Sequence, residues 1–172
     1  MKVVVLIVLL AVIAVGALSM YRRSVVDRAK ESVYAELKRL PPVSKDFSTP
    51  EGAILCLEDA YRRKDMDAAI AAKDFKTEAR LMLERTRFKE HLDEEMVAKT
   101  SEALIASFRA HTSARCPDFD GLESFFLKRE PHSEKVVIVT EECRFPDGLY
   151  SRQGILVAES AQGWRVLNPV SK

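Results

Sequence analysis

The hydrophobic period of this chain changes once, near Ala110, and the predicted architecture follows from that change. Ahead of it, apolar residues recur at three- and four-residue steps, the spacing of helices that bury one face. Behind it, they alternate or run together in short stretches bounded by turn residues, the pattern of strands. The most legible stretch runs from Glu134 to Phe145, where Val136 to Val139 are four consecutive β-branched residues followed by Thr140. Such a run predicts a strand whose middle is covered on both faces. Its far end gathers the polar pair Glu141-Glu142, which reads as a solvated rim.

In the helical half, Thr49-Pro50-Glu51 predicts a helix start: an N-cap, a proline at the first helical position and an acid near the positive end of the dipole. Ala53, Ile54, Leu57, Ala60 and Tyr61 form its apolar face, and Arg62-Arg63-Lys64 suits its carboxyl end. Asp65 caps a second, short helix through Met66, Ala69, Ile70 and Ala72. Asp74 caps a third with Phe75, Ala79, Met82 and Leu83, prolonged through Phe88. Asp93 or Glu94 opens a fourth, with Met96, Val97, Thr100, Leu104, Ser107 and Phe108 inward.

In the strand half, Arg115 to Phe119 predicts a short strand and Leu122 to Arg129 a longer one. Pro131-His132-Ser133 reads as the turn into the Val136 strand and Pro146-Asp147-Gly148 as the turn out. Tyr150 to Ser160, a turn at Gln162-Gly163 and Trp164 to Leu167 complete an antiparallel meander, with Trp164 as a core aromatic. Helices first and strands afterwards is an α+β order.

The amino terminus is different in kind. Val3 to Leu18 is an unbroken apolar run, extended through Tyr21 and stopped by Arg22-Arg23. A helix over Val3 to Tyr21, at about 1.5 Å per residue, is roughly as long as a bilayer core is thick. It reads as a single-pass transmembrane anchor; the rival reading is a signal peptide cleaved near Ala17-Leu18-Ser19, although signal cores are shorter, about 7–15 residues. Arg22, Arg23, Arg28 and Lys30 follow the run and would place the domain in the cytoplasm by charge, whereas a short amino end favours translocation, so the side stays open. Val26, Ala29, Val33, Leu37 and Leu40 predict an amphipathic juxtamembrane helix ended by Pro41-Pro42, a stripe that suits either a second copy of itself or its own domain. The predicted organisation is thus an anchor or signal segment over 1–23, a juxtamembrane helix and linker over 24–48, and a folded domain over 49–172.

Composition narrows the function classes. Twenty-seven Lys and Arg against 26 Asp and Glu give a net charge of +1, which supplies no basic field for nucleic acid. Cys56, Cys116 and Cys143 show no Cys-x-x-Cys spacing. They read as three reduced thiols, with a Cys116 to Cys143 bridge as the alternative in an oxidising compartment. His91, His111 and His132 share no ligand spacing, no Gly-x-Ser-x-Gly elbow is present, and no cofactor or metal is implied.

Three stretches carry a family resemblance. The opening Thr49-Pro-Glu-Gly-Ala53 with the turn Arg62-Arg-Lys-Asp-Met-Asp-Ala-Ala69 resembles the nuclear-transport-factor-2-like (NTF2-like) superfamily, a cone of helices wrapped by a curved antiparallel sheet. The run Ala71-Ala-Lys-Asp-Phe-Lys-Thr-Glu-Ala-Arg-Leu-Met-Leu-Glu84 resembles the bacterial NTF2-fold immunity proteins. Cys143-Arg-Phe-Pro-Asp-Gly148 and Gly163-Trp-Arg-Val-Leu-Asn-Pro169 are similar to the same group. The resemblance covers about Thr49 to Pro169 and implies a non-enzymatic, protein-binding domain that neutralises a toxin, here at a membrane because of the anchor. Partner-facing candidates are Lys73, Asp74, Glu78 and Arg80, with Arg144 and Asp147 around the later turn; the bland alternative is a capped, solvated surface. The other readings are a small-ligand-binding or accessory domain of an envelope assembly, with the cone as its pocket, and an isomerase- or dehydratase-type enzyme using Glu142 or Asp74 with Tyr61 or Tyr150.

Overall fold

The computed structural model describes residues 29–85 and 93–167, and the chain divides into two units, Met1–Pro41 and Pro42–Lys172. The segment Val3 to Tyr21, Arg22-Arg23, Val26, the prolongation through Phe88, His91 and Asn168-Pro169 lie outside the described residues. Among the described residues no helix is long and apolar enough to cross a membrane. In the first unit a helix over 29–37 (α1) stops in a turn at 38–40, just ahead of Pro41-Pro42, whose rings cannot continue it.

Four side chains start four helices in the second unit, as the capping pattern predicts. Thr49 accepts from the Gly52 amide at 3.0 Å at the head of α2 (Pro50–Arg62), and Asp65 from that of Ala68 at 2.9 Å at the head of α3 (Met66–Ala71). Asp74 accepts from the Thr77 amide at 2.9 Å ahead of α4 (Phe75–Glu84), and Asp93 from that of Met96 at 2.7 Å ahead of α5 (Glu94–Ala114). Each cap satisfies an amide that the helix itself leaves open. α5 runs four residues past the expected change of period, because Ala114 is still helical.

The sheet is an antiparallel meander, β1 (Glu123–Ser133), β2 (Val136–Arg144), β3 (Tyr150–Ser160) and β4 (Gly163–Val166), in that spatial order. Two boundaries differ from expectation. Residues 115–119 form no strand; Arg62 holds this segment instead, its guanidinium donating to the carbonyls of Phe119 at 3.2 Å and Leu122 at 3.1 Å. Pro131 to Ser133 belongs to β1, and the turn falls at Glu134-Lys135. A proline is tolerated there because β1 is an edge strand and its register with β2 shifts between Pro131 and Ser133.

β2 is covered on both faces, as its β-branched run predicts. Val139 packs in one cluster with Ala53 and Ile54 of α2 and with Ile155, Val157 and Val166, while Val136, of opposite strand parity, packs with Leu156, Ala158 and Leu167. α4 and α5 join through Ala79, Leu83 and Val97. The carboxyl end of the sheet locks onto the helices. Val166 donates its amide to the Ala72 carbonyl at 2.9 Å and accepts from the Asp74 amide at 3.1 Å, so the α3–α4 link lies against β4 as one parallel bridge centred on Lys73.

The last turn is equally constrained. Gly163 has φ of 96°, and a Cβ there would stand 2.4 Å from the Phe47 carbonyl oxygen, whereas Gly148, with φ of 78°, has open space around it. Gly163→Ala is therefore expected to cost more stability than Gly148→Ala, which carries only the left-handed penalty of about 1–2 kcal/mol. Chemical denaturation of the two variants checks this; equal losses would show that the Phe47 contact is not limiting.

Candidate functional site

Helix α2 and the face of the sheet that carries Val139 do not close completely. Between them is a cleft of about 190 Å³, walled by Ile54, Leu57 and Tyr61 of α2, Phe108 of α5, Phe119 and the sheet residues Ile155 and Val166. The Phe119 ring stacks on Tyr61 at 5.4 Å between centroids, and Tyr61 and Phe108 stand 6.5 Å apart. Three charged side chains also line this apolar space: Glu58, Glu141 and Lys73. A larger hollow of about 300 Å³ lies against Tyr61, Lys64, Asp65 and Cys116, but no buried charged side chain lines it.

Glu58 and Glu141 are 3% and 0% exposed. Glu58 follows Ile54 by four residues and precedes Tyr61 by three, so helical geometry turns it to the sheet. Glu141 shares strand parity with Val139 and therefore points to α2. Glu58 accepts from Ser124 Oγ at 2.6 Å and from Arg62 at 3.2 Å, and Glu141 accepts from Gln153 Nε2 at 2.7 Å. Two bare carboxylates would leave Glu141 Oε1 buried with no donor. A proton on Glu58 removes that conflict, because it converts an acceptor into a donor. Burial, then the hydrogen bond and charge of Glu141, push the Glu58 pKa up to about 8, with Ser124 and Arg62 opposing. Cys143, two residues on, is pushed up to about 12 by burial and by the Glu141 charge.

The bridge between β4 and the α3–α4 link fixes Lys73. Its side chain is 3% exposed, its ammonium lies 5.5 Å from the ring centroids of both Phe75 and Phe108, and the Glu78 carboxylate is 3.8 Å away. Burial lowers its pKa and the charge of Glu78 only partly opposes this.

The expected site residues fall in separate places. Lys73 and Glu78 pair beside the cleft. Asp74 is consumed as the α4 cap, its second oxygen accepting from Thr77 Oγ1 at 2.7 Å, and Arg80 pairs with Glu94 of α5 on the surface. Arg144 pairs with Glu123 across β1 and β2 at 3.2 Å, and Asp147 accepts the Leu149 amide at 2.9 Å within its turn. Glu142, offered for acid–base work, pairs with Arg152 at 2.5 Å on the opposite strand face from Glu141. Tyr61 lines the cleft; Tyr150 and Asp74 do not. The solvated-rim reading of Glu141 is corrected: it is the most buried acid among the described residues, and its parity with Val137 and Val139 is the signal that reveals it. Glu58 was missed although the helical spacing places it on the apolar face. The three cysteines are free, with Cys116 exposed and Cys143 buried. Among the described residues no cluster of three metal-ligating side chains occurs.

No protein-family model matches the chain, and no curated protein matches it. Among solved structures it is similar to the phospholipid-binding protein of Ralstonia solanacearum, determined with a phospholipid, at 13% identity and a TM-score of 0.45 over 67% of this chain and 72% of that one. It is also similar to a protein described as an NTF2-like transpeptidase from Campylobacter jejuni, at 12% identity and a TM-score of 0.29 over 64% of this chain and 96% of that one.

The acid pair makes a pH signature. Below about pH 4.5, the ordinary value, Glu58 is protonated whether the chain is folded or not; between there and about 8 only the folded chain keeps the proton. Stability is expected to fall with rising pH across that window, by at most about 1.4 kcal/mol per pH unit from this group. Glu58→Gln, which keeps the shape and can still donate, is expected to flatten the slope. Urea titrations at pH 5, 6.5 and 8 on both proteins measure it, and an unchanged slope in the variant would place the proton elsewhere.

Proposed function

We propose that the Pro42–Lys172 unit is a binding domain for a small, mainly apolar ligand, held in the cleft between α2 and the sheet. The observation that carries this reading is the cleft itself: a space walled by aliphatic and aromatic side chains into which a few buried polar groups converge, the usual composition of a ligand site. Its volume lies below the roughly 300 Å³ at which drug-sized sites begin. The occupant is therefore fragment-sized, or one end of a longer molecule.

Binding is preferred to catalysis for a specific reason. The contacts of Glu58 and Glu141 are filled by Ser124, Arg62, Gln153 and each other, which suits an acid pair that holds shape. The one observation on the side of an enzyme is the Glu58 pKa of about 8, within range of neutral acid–base work. In the binding reading the domain is NTF2-like in architecture, and the apolar run Val3 to Tyr21 tethers it to a membrane as an accessory or ligand-carrying module. The toxin-neutralising role implied by the resemblance has no support from the comparisons.

Two measurements test the reading. Leu57→Trp, which fills the cleft from a half-buried position, is expected to abolish saturable binding of fragment-sized apolar probes such as phenol and 1-hexanol while leaving the circular dichroism spectrum intact. Amide shifts on titration are expected at Leu57, Tyr61, Phe108 and Ile155 of the wild-type chain; shifts confined to other surfaces would overturn the assignment. Membrane fractionation of the full-length chain is expected to leave it in the alkali-resistant pellet, and deletion of Val3 to Tyr21 to release it.

A further inference from the structure

The acid pair lines the cleft, and one of its contacts runs on into the cleft wall. Glu58 and Glu141 both face this space, and Glu141 Oε1 is buried there with no donor unless Glu58 carries a proton. Arg62 ties the pair to the wall. Its Nη2 donates both to Glu58 Oε2 at 3.2 Å and to the Leu122 carbonyl at 3.1 Å, while its Nε donates to the Phe119 carbonyl at 3.2 Å. Phe119 in turn stacks on Tyr61 and closes one side of the cleft. One guanidinium is thus divided between the acid pair and the segment that forms the wall.

Resting on the ligand-binding reading above, we propose that ligand binding in the cleft is proton-linked: the cleft holds its apolar ligand while the Glu58–Glu141 pair keeps its proton and releases it when that proton leaves, with Arg62 carrying the change to the Phe119 wall. Two effects act in the same direction. Without the proton, two carboxylates meet in an apolar space with no donor between them, and only water lowers that cost; an apolar ligand excludes the water, so its binding opposes ionisation. A full charge on Glu58 also draws Arg62 Nη2 more strongly, against the Leu122 carbonyl that shares it, and so loosens the wall. Among the described residues, the other charged and titratable groups that touch the pair or share its cleft are Arg62 and Tyr61 of α2, Cys143 of β2, and Lys73 with Glu78 beside it. β1 and β3 meet the pair through Ser124 and Gln153, which do not titrate, and α5 and β4 bring Phe108 and Val166 to the cleft. Burial pushes Cys143 and Tyr61 up to about 12, and arginine stays charged. Near pH 8, where burial places Glu58, the rival group is therefore Lys73, whose pKa burial lowers.

The test uses the purified full-length chain and 1-hexanol, a probe that carries no charge at any pH used. Its dissociation constant, measured by calorimetry from pH 6 to 9.5, is expected to hold steady below pH 7 and to rise about tenfold by pH 9.5, within the limit of tenfold per pH unit that one proton allows. Glu58→Gln, whatever its affinity at pH 6, is expected to lose that rise. In the ligand-free wild-type chain the Phe119 and Leu122 amide shifts are expected to titrate together with the Glu58 carboxyl carbon; amides that ignore it overturn the Arg62 link. Should Glu58→Gln fail to fold, the same carboxyl carbon still decides. Its midpoint is expected to move to higher pH when 1-hexanol is bound, and an unmoved midpoint overturns the inference. A dissociation constant level from pH 6 to 9.5 overturns the proton linkage but leaves the cleft a ligand site. A rise that survives Glu58→Gln does the same and assigns the linkage to another group, Lys73 first. No binding of 1-hexanol at pH 6 overturns the ligand-binding reading, and this inference with it.

Discussion

Two carboxyl groups face each other across the seam between helix and sheet, and the packing of the domain is built around keeping them there. Glu58 and Glu141 each need donors that an apolar seam does not supply, and leaving either unsatisfied would cost several kcal/mol. The donors come from three elements, Arg62 from the next turn of α2, Ser124 from β1 and Gln153 from β3, and from the proton that the pair shares. α2, β1, β2 and β3 are therefore fixed to one another by polar contacts as well as by the Ala53, Ile54, Val139 and Ile155 cluster. Apolar packing alone tolerates small slips of a helix over a sheet; a buried acid pair with directional donors does not.

The same turn of α2 does a second job. Arg62 touches Glu58 and also reaches the carbonyls of Phe119 and Leu122, so the irregular segment before β1 is held by the residue that neutralises the acid pair. That contact places Phe119 on Tyr61 and completes one wall of the cleft. The segment has no ladder of its own, and Arg62 provides the polar contacts that a strand would have provided.

Much of the architecture was legible in the sequence because it depends on local chemistry. Thr49, Asp65, Asp74 and Asp93 cap helices by reaching their own third neighbours, and the run Val136 to Val139 demands cover on both faces wherever it is placed. The misreadings have a common cause. Arg115 to Phe119 looks like a strand until Arg62, more than fifty residues away, takes the Phe119 carbonyl, and Pro131 looks like a turn until a register shift on an edge strand accommodates it. Glu141 was assigned to solvent on polarity, although its strand parity argued for burial; only the arrival of Glu58 from α2 reconciles the two. Long-range partners decided each of these cases, and a local pattern does not contain them.

Lys73 and the acid pair show why the cleft is more than a packing defect. A void left by imperfect packing is lined by whatever apolar side chains fail to meet, and it stays dry and uncharged. This one is lined by groups of both signs, each held by its own separate machinery: the acids by hydrogen bonds across four elements, the lysine by a backbone bridge and two aromatic faces. Burying such groups opposes folding unless the fold itself supplies their partners. Here it does: Glu58 and Glu141 are met by Ser124, Arg62, Gln153 and a shared proton, and Lys73 by Glu78 and the Phe75 and Phe108 rings, so the charged lining of the cleft is fixed by the contacts that join helix to sheet.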